Sequence, residues 1–442
     1  MKKIAYLMLF TMVVLFSCKK DKDIQIHAVT VQLAYPANSS FTVVEGVTVK
    51  MAGRSTSFEA KTNAEGKATF SVPTDIYEIS ATDPRSNAGT AFIYNGVKSS
   101  VAIVDGWNAS NIIKLDLTES TTSQIVIKEV FTGGTPKDDG SGAFDYDKYV
   151  ILYNNSNTTA NLGNLCLATT MPYLATGSNN YYNTSGVLSY ESTGWIPAGQ
   201  AIWKFQQNVT VAPYSQIVIA LNNAVNNTVV HTKSINFDNP AYYAAYDIQK
   251  FTHAATYPVP VASIPTSHYL KALTYGAGSA WGIGVTSPAF FIFDPKGTTP
   301  DAFVADASAT DVYSGTALVA KKVPTSWILD GMESYRLGAT YSNRKRLTAA
   351  VDAGYVYYNN DAGYSLYRNV DKTATEALTG NKEKLVYNYS LGTTNIPTYG
   401  STDPSGIDAE ASIKNGAHII YKDTNNSTND FHLRAKASLR TN

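Results

Sequence analysis

The chain is predicted to be an all-β protein, on three features of the sequence. Its 442 residues include 30 tyrosines and 30 glycines, and only 16% are charged. Together with the many Thr, Asn and Ser residues, that is a composition of strands and turns. Short runs alternate apolar and polar residues, as a strand with one face on a core requires. Long stretches of helical periodicity are almost absent.

Residues 1–17 stand apart from this pattern. Lys2 and Lys3 precede a run from Ile4 to Phe16 that is apolar apart from Thr11, and Ser17 follows. This basic-then-apolar layout is that of an export signal, too short to persist as a membrane-spanning helix. The run closes on Leu15-Phe16-Ser17-Cys18, which resembles the lipobox of bacterial lipoproteins. The resemblance implies cleavage before Cys18, with a diacylglycerol carried on its thiol. Phe16 is the one departure, of a kind that Bacteroidota lipoproteins tolerate. Residues 18–23 continue as Lys19-Lys20-Asp21-Lys22-Asp23, a charged flexible tether. In Bacteroidota, charged residues behind the lipidated cysteine also act as a signal for surface export. The expected location is therefore the outer membrane, lipid-anchored and facing outward, with the periplasmic leaflet as the alternative.

Losing Lys2 and Lys3 with the signal reduces 35 basic residues to 33, against 35 acidic ones. That near-neutral balance gives no electrostatic reason to bind nucleic acid. With Cys18 acylated, Cys166 is the only thiol left, so no intrachain disulfide forms and stability rests on core packing.

The first folded unit is expected over 24–118. Val29-Thr30-Val31-Gln32-Leu33 and Val47-Thr48-Val49-Lys50-Met51 alternate, as do the runs ending at Phe70 and at Ala81. Asn63 to Gly66 reads as a turn, with Gly66 free to take positive φ and the flanking runs pairing across it. The pattern Thr62-Asn63-Ala64-Glu65-Gly66-Lys67-Ala68-Thr69-Phe70, followed by Tyr77-Glu78-Ile79, resembles carboxypeptidase-regulatory-like or prealbumin-like sandwiches. That resemblance implies a spacer or docking module and carries no chemistry.

Thr118 to Ser123 is a polar linker, and a second unit is expected over 124–442. Ile125 to Val130, Tyr149 to Asn155, Leu162 to Leu167 and Pro213 to Ala220 read as half-buried strands with outward polar residues. With Ile328-Leu329-Asp330-Gly331-Met332-Glu333 and Gly363-Tyr364-Ser365-Leu366-Tyr367-Arg368, they resemble, in order, a lamin-tail-type Ig-like sandwich. The fold class is thus two Ig-like or prealbumin-like β-sandwiches, the second lamin-tail-like and interrupted by a long insertion at about 222–311. The ending Asp423-Thr424-Asn425-Asn426-Ser427-Thr428-Asn429-Asp430-Phe431 resembles that of an uncharacterised Bacteroidota surface-lipoprotein family, a domain of unknown function. It implies fold and location and brings no catalytic residues.

Candidate chemistry is sparse. The insertion holds Tyr242, Tyr243, Tyr246, Tyr257, Tyr269, Tyr275 and Trp281, which could form stacking platforms for a flat ligand or simply pack the sheet. Asp138, Asp139, Asp145 and Asp147 surround Gly140 and Gly142, which suggests calcium, although the EF-hand pattern is not met and a solvated acidic loop explains them equally. The six histidines form no close ligand pair, no Gly-x-Ser-x-Gly elbow occurs, and Gly276-Ala277-Gly278 and Gly282-Ile283-Gly284 read as loop glycines. Asn343-Arg344-Lys345-Arg346 reads as a turn or sheet edge kept soluble by charge. The expectation is a non-enzymatic lipoprotein without a cofactor other than that candidate calcium. It would be held to the membrane by its lipid and would capture a nutrient as an accessory to a TonB-dependent outer-membrane transporter. A structural or adhesive surface protein and a glycan hydrolase are the alternatives.

Overall fold

The computed structural model describes residues 25–37, 39, 41–42, 45–87, 90–314, 318–338, 343–358, 362–393 and 402–441. The export signal, Cys18 and the charged tether lie outside the described residues. The protein is all-β, with a few short helices. No described helix is long and apolar enough to cross a membrane.

The first unit comprises β1 (Ile26–Ala34), β2 (Thr48–Ala52), β3 (Ser57–Lys61), β4 (Lys67–Pro73), β5 (Asp75–Asn87), β6 (Thr90–Ile103), β7 (Ile112–Asp116) and β8 (Thr118–Thr121). They form a three-stranded sheet, β4-β1-β7, and a five-stranded sheet, β3-β2-β5-β6-β8. Alternation decides which side chains meet between them. Val29, Val31 and Leu33 of β1 and Phe70 and Val72 of β4 face Val49, Met51, Tyr77 and Ile79 in one core. The turn at Asn63 forms, with Gly66 at φ +73° and the Asn63 Oδ1 accepting from the backbone N–H groups of Glu65 and Lys67. Its flanking runs do not pair across it, however. β3 pairs with β2 while β4 crosses to β1 in the other sheet, so the turn joins the two layers.

The second unit begins with β9 (Ile125–Phe131), the short pair β10 (Thr135–Pro136) and β11 (Ala143–Phe144), and β12 (Tyr149–Asn154). It continues through β13 (Ala160–Asn161), β14 (Cys166–Thr169), β15 (Trp195–Gly199), β16 (Ala201–Lys204), β17 (Thr210–Val211) and β18 (Gln216–Ala220). Next come β19 (Tyr243–Ala244), β20 (Lys271–Thr274), β21 (Ala289–Phe293), α1 (Pro300–Ala305), β22 (Thr310–Ser314) and β23 (Leu318–Pro324). The remainder is β24 (Ile328–Arg336), β25 (Val356–Tyr358), β26 (Ser365–Arg368), α2 (Lys372–Ala377), α3 (Ala409–Lys414), α4 (Ser427–Asp430) and β27 (Phe431–Arg434). Two six-stranded sheets dominate, one ordered β19-β18-β12-β9-β26-β27 and the other β20-β16-β14-β21-β24-β25. Ile127, Leu152, Ile219 and Leu366 from the first meet Leu167, Trp203, Ile292 and Met332 from the second.

The outer faces of both sheets are covered as well. The sheet β15-β23-β22 packs Ile196, Ala198 and Val323 onto Cys166, Phe291 and Phe293. Ile235, Phe237 and Ile264 cover Tyr149 and Val218, while Leu385, Ile407, Ile419 and Tyr421 cover Val126, Tyr153 and Tyr367. The expected outward polar faces are therefore absent from the central strands: every residue of β9 and β12 is buried. Nor is the segment 222–311 an appendage. It supplies edge strands β19 and β20 and the interior strand β21, which lies between β14 and β24.

A β-bulge fixes the register of β9. Glu129 pairs with Ile151 and Ile127 with Leu152, leaving Lys128 as the extra residue. The bulge flips the strand's parity, so Ile125, Ile127 and Val130 share one core. It also sends Lys128 into a buried site, where Nζ lies 2.6 Å from Glu410 Oε1 and donates to Gln216 Oε1 at 2.6 Å. The rings of Tyr153, Tyr367 and Tyr421 stand 5.5–6.0 Å away. This site fastens α3, and with it the covering segment, to the sheet.

The units meet through the loop 423–430. Asn95 Nδ2 donates to the carbonyls of Thr424 at 2.6 Å and Asn425 at 3.2 Å, and the Ser123 N–H donates to Asp423 Oδ2 at 3.3 Å. Both Asn95 bonds are buried, so Asn95→Ala leaves two carbonyls without that donor. It is expected to lower stability by about 1–3 kcal/mol, read as an earlier urea midpoint than that of the wild type.

Candidate functional site

The seven aromatic residues expected to form a platform are distributed over three cores. Tyr243, Tyr257 and Trp281 lie in the core between the six-stranded sheets. Tyr242 and Tyr269 pack on the far face of β12 and β18, where Tyr246 meets Tyr269 at 5.3 Å between ring centroids. Tyr275 packs toward β15, its hydroxyl donating to Ala198 O at 3.0 Å. The space beside Tyr246 and Tyr257 is about 10 Å³, room for no more than a water.

The four aspartates diverge in the same way. Asp138 accepts from the Thr232 N–H and hydroxyl, and Asp139 from the Ser141 N–H. Asp147 is buried and accepts from the Thr135 and Ser234 hydroxyls, and burial raises its carboxyl above the usual range. Asp145 lies beside the Lys148 ammonium, which is bonded to its backbone carbonyl. Among the described residues, no three His, Cys, Asp or Glu side chains are grouped to hold a metal ion.

The remaining candidates are engaged structurally. Burial pushes the Cys166 thiol well up, away from thiolate reactivity. His253 bonds Thr256, His268 stacks on Tyr243, and His432 is buried between Tyr389 and Asn369. Among the described residues, no histidine is hydrogen-bonded to a serine hydroxyl or to Cys166. The basic cluster is not a solvated edge throughout. Arg346 is fully buried and forks onto Glu333 at 2.7 and 2.8 Å, and its other N–H groups donate to Tyr173 O and Ser287 O. Gly282 and Gly284 admit the chain at Tyr173 so closely that a Cβ would fall 2.3 and 2.1 Å from it.

Chemistry-bearing residues converge at the junction of the units. The loop 423–430 folds on its own side chains. Asn426 caps α4 by accepting from the Thr428 N–H, and Asp430 accepts from the N–H groups of Thr424 and Asn426 and from the Thr424 hydroxyl. Asn425 holds a left-handed φ of +49°, which asparagine tolerates. Asp352 then fixes the loop from the β24 side, accepting from the Ser427 N–H at 2.7 Å and hydroxyl at 2.6 Å. Gly354 must lack a side chain here, because a Cβ would stand 2.0 Å from Asn426 Oδ1.

Arg368 of β26 lies beneath the loop. It pairs with Asp330, donates to Ile127 O and Lys422 O, and stands 3.5 Å from Asp423 and 3.9 Å from Asp430. One guanidinium cannot neutralise three buried carboxylates. Burial raises Asp430 to about 7, with Arg368 opposing the rise and Asp423 adding to it; burial also raises the carboxyls of Asp330 and Asp423 above the usual range. Beside the loop, at Asn425, opens a cleft of about 390 Å³, lined by Glu119 of the first unit and by Lys296, Ser326, Ile328, Val351 and Asn425 of the second. Its volume lies within the range of small-molecule sites. The motif 423–431 was conspicuous in the sequence, but its partners Arg368, Asp330 and Asp352 lie 55–93 residues upstream of Asp423 and carry no local signature.

With that geometry in place, the chain can be compared with known proteins. Residues 212–385 match the family described as Protein of unknown function (DUF4876). The DUF4876 match covers β18 to β26, including the whole of the segment expected to be an insertion. A crystal structure of a DUF4876 family protein from Bacteroides thetaiotaomicron VPI-5482 is similar over 94% of this chain and 97% of that one, at 18% identity and a TM-score of 0.51. At that identity the likeness concerns the fold. No curated protein matches.

The charge cluster gives the stability a pH dependence with a definite sign. Asp430 titrates higher folded than unfolded, so its contribution is complete below about pH 4 and lost as pH rises through about 7. His432 is held well below its ordinary pKa, chiefly by burial, so it begins to oppose this below roughly pH 6.5. The thermal midpoint is therefore expected to rise as pH falls from 8 to about 6.5, and Asp430→Asn to flatten that rise.

Proposed function

We propose that the protein is a lipid-anchored, non-catalytic binding subunit of a bacterial outer membrane, facing outward. It takes a small polar nutrient into the junction cleft for a TonB-dependent outer-membrane transporter. The observation that carries this reading is the cleft itself. It is roomy enough for a ligand, opens between two units, and combines the ammonium of Lys296, the carboxylate of Glu119, hydroxyls and an amide with apolar Ile328 and Val351. Glu119 is the one carboxylate among the described residues that line it, where glycoside hydrolysis takes two, which supports binding over hydrolysis. The lipobox-like Leu15-Phe16-Ser17-Cys18 supports the anchor. The transporter is the partner suited to a capture protein at that membrane, by analogy alone.

Ser326 lines the cleft and is exposed, so Ser326→Trp fills the space without disturbing a core. In a thermal-shift screen of sugars, amino acids and short peptides, a ligand at 100 times its Kd is expected to stabilise the wild type by roughly 2.7 kcal/mol. Ser326→Trp should abolish that gain, and a gain retained in the variant places binding elsewhere. Cys18→Ala should move the protein from the membrane fraction to the soluble fraction of whole cells, and retention in membranes overturns the anchor. Mild detergent extraction of the wild type should bring a transporter barrel with it, and isolation alone counts against the partnership.

A further inference from the structure

The first unit has two unlike ends. Partway along β5 and β6, Thr82 and Asn95 meet the loop 423–430 of the second unit. The opposite end gathers the start of β1, the β2–β3 turn, the β4–β5 turn and the 104–111 connection. Strand register places them together: Ile26 pairs with Pro73, Ala52 with both Ser57 and Glu78, and Asp75 with Ile103.

Large aliphatics face water at this end, set among the polar Arg54, Thr56, Asp105, Asn108 and Asn111. Ile26 is 58% exposed, Ile76 48% and Val104 57%, and Ile112, which opens edge strand β7 beside them, is 54% exposed. Trp107 lies half-buried on the same connection. Arg54 and Asp75 stand 3.7 Å apart and offset one another, and Asp105 is the one ionisable residue on the 104–111 connection. Single exposed aliphatics are ordinary on a protein surface, whereas a group of them at one end marks a contact.

We propose that this end is seated on the bilayer, with Ile26, Ile76, Val104 and Ile112 against the headgroups and upper acyl chains. The inference rests on the lipid-anchor reading, because the length of chain before β1 identifies the occupant. Seven residues lie between Cys18 and Ile26, and at full extension the eight steps from one to the other span at most roughly 29 Å. The start of β1 is therefore always within reach of the surface that holds the lipid. Tethering makes its encounter with that surface intramolecular, so weak partitioning of a few side chains is enough to seat it. Orientation follows. Thr82 lies seven residues along β5 from Asp75, about 23 Å at strand spacing, so the second unit and its cleft are held off the membrane.

The test uses the full lipidated chain in vesicles of phosphatidylethanolamine and phosphatidylglycerol. Cys166 is buried and Cys18 acylated, so a cysteine introduced by Ser110→Cys on the 104–111 connection takes an environment-sensitive fluorophore alone, and Ser192→Cys on the second unit serves as control. The label at 110 should shift to the blue and be quenched by nitroxide lipids, while the label at 192 should not. Adding Val104→Asp with Ile112→Asp should abolish the shift and the quenching while flotation with vesicles persists. Protein that floats with the label at 110 still in water overturns the seated end and leaves the anchor intact. Protein that does not float overturns the anchor reading itself. A blue shift without vesicles, together with a dimer in sedimentation, assigns this end to a second copy of the chain and overturns the membrane assignment.

Discussion

The guanidinium of Arg368 is surrounded by Asp330, Asp423 and Asp430 and shut away from water. Removing those charges from solvent is costly, and the Coulombic return in a low-dielectric interior offsets it only when every donor and lone pair is used. Here they are used. The arginine also reaches two carbonyls, and Asp430 takes three hydrogen bonds from the loop it closes. The arrangement joins β26, β24 and the 423–430 loop at one point, and Asn95 of the first unit and Ser123 of the linker hold the same loop from outside. The loop that joins the units, and that lends Asn425 to the cleft, is held by this one ion cluster.

The layered covering of the second unit raises a related demand. A sheet buried on both faces cannot send its polar side chains to water, so each must be satisfied within the fold. Lys128 is answered by Glu410 and Gln216, Arg346 by Glu333, and Glu129 by the hydroxyls of Ser365 and Ser438. The high tyrosine content serves the same need, since a tyrosine ring fills a core while its hydroxyl reaches a partner. Tyr153 donates to Ile419 O, and Tyr367 to Glu410. The aromatic residues of this chain are largely the material of its layers.

Strand positions and the all-β class were legible in the sequence because period-2 alternation and turn residues act locally. Val29 to Leu33 and the Asn63–Gly66 turn are examples. The covering layers were not legible, since a segment that roofs a sheet has no periodicity of its own. The apolar run Ala289–Phe293 was the clue that β21 lies inside a sheet, yet it falls where a lamin-tail pattern offers no strand. The bulge at Lys128 was equally hidden, because an extra residue in a strand alters register without altering composition. At the candidate site, Asp423 to Phe431 stood out as a motif, but its meaning depends on Arg368, Asp330 and Asp352, which only the folded chain brings near.

The interior position of β21 bears on how such a protein changes over generations. A loop-borne module can be exchanged as a cassette, leaving its scaffold intact. A strand hydrogen-bonded on both sides, as β21 is to β14 and β24, cannot be lifted out without opening the sheet. Novelty in a chain built this way has to enter through short connections such as 294–299 and 349–351 at the mouth of the cleft, one or two residues at a time. Divergent relatives would then keep their framework while differing in what they hold.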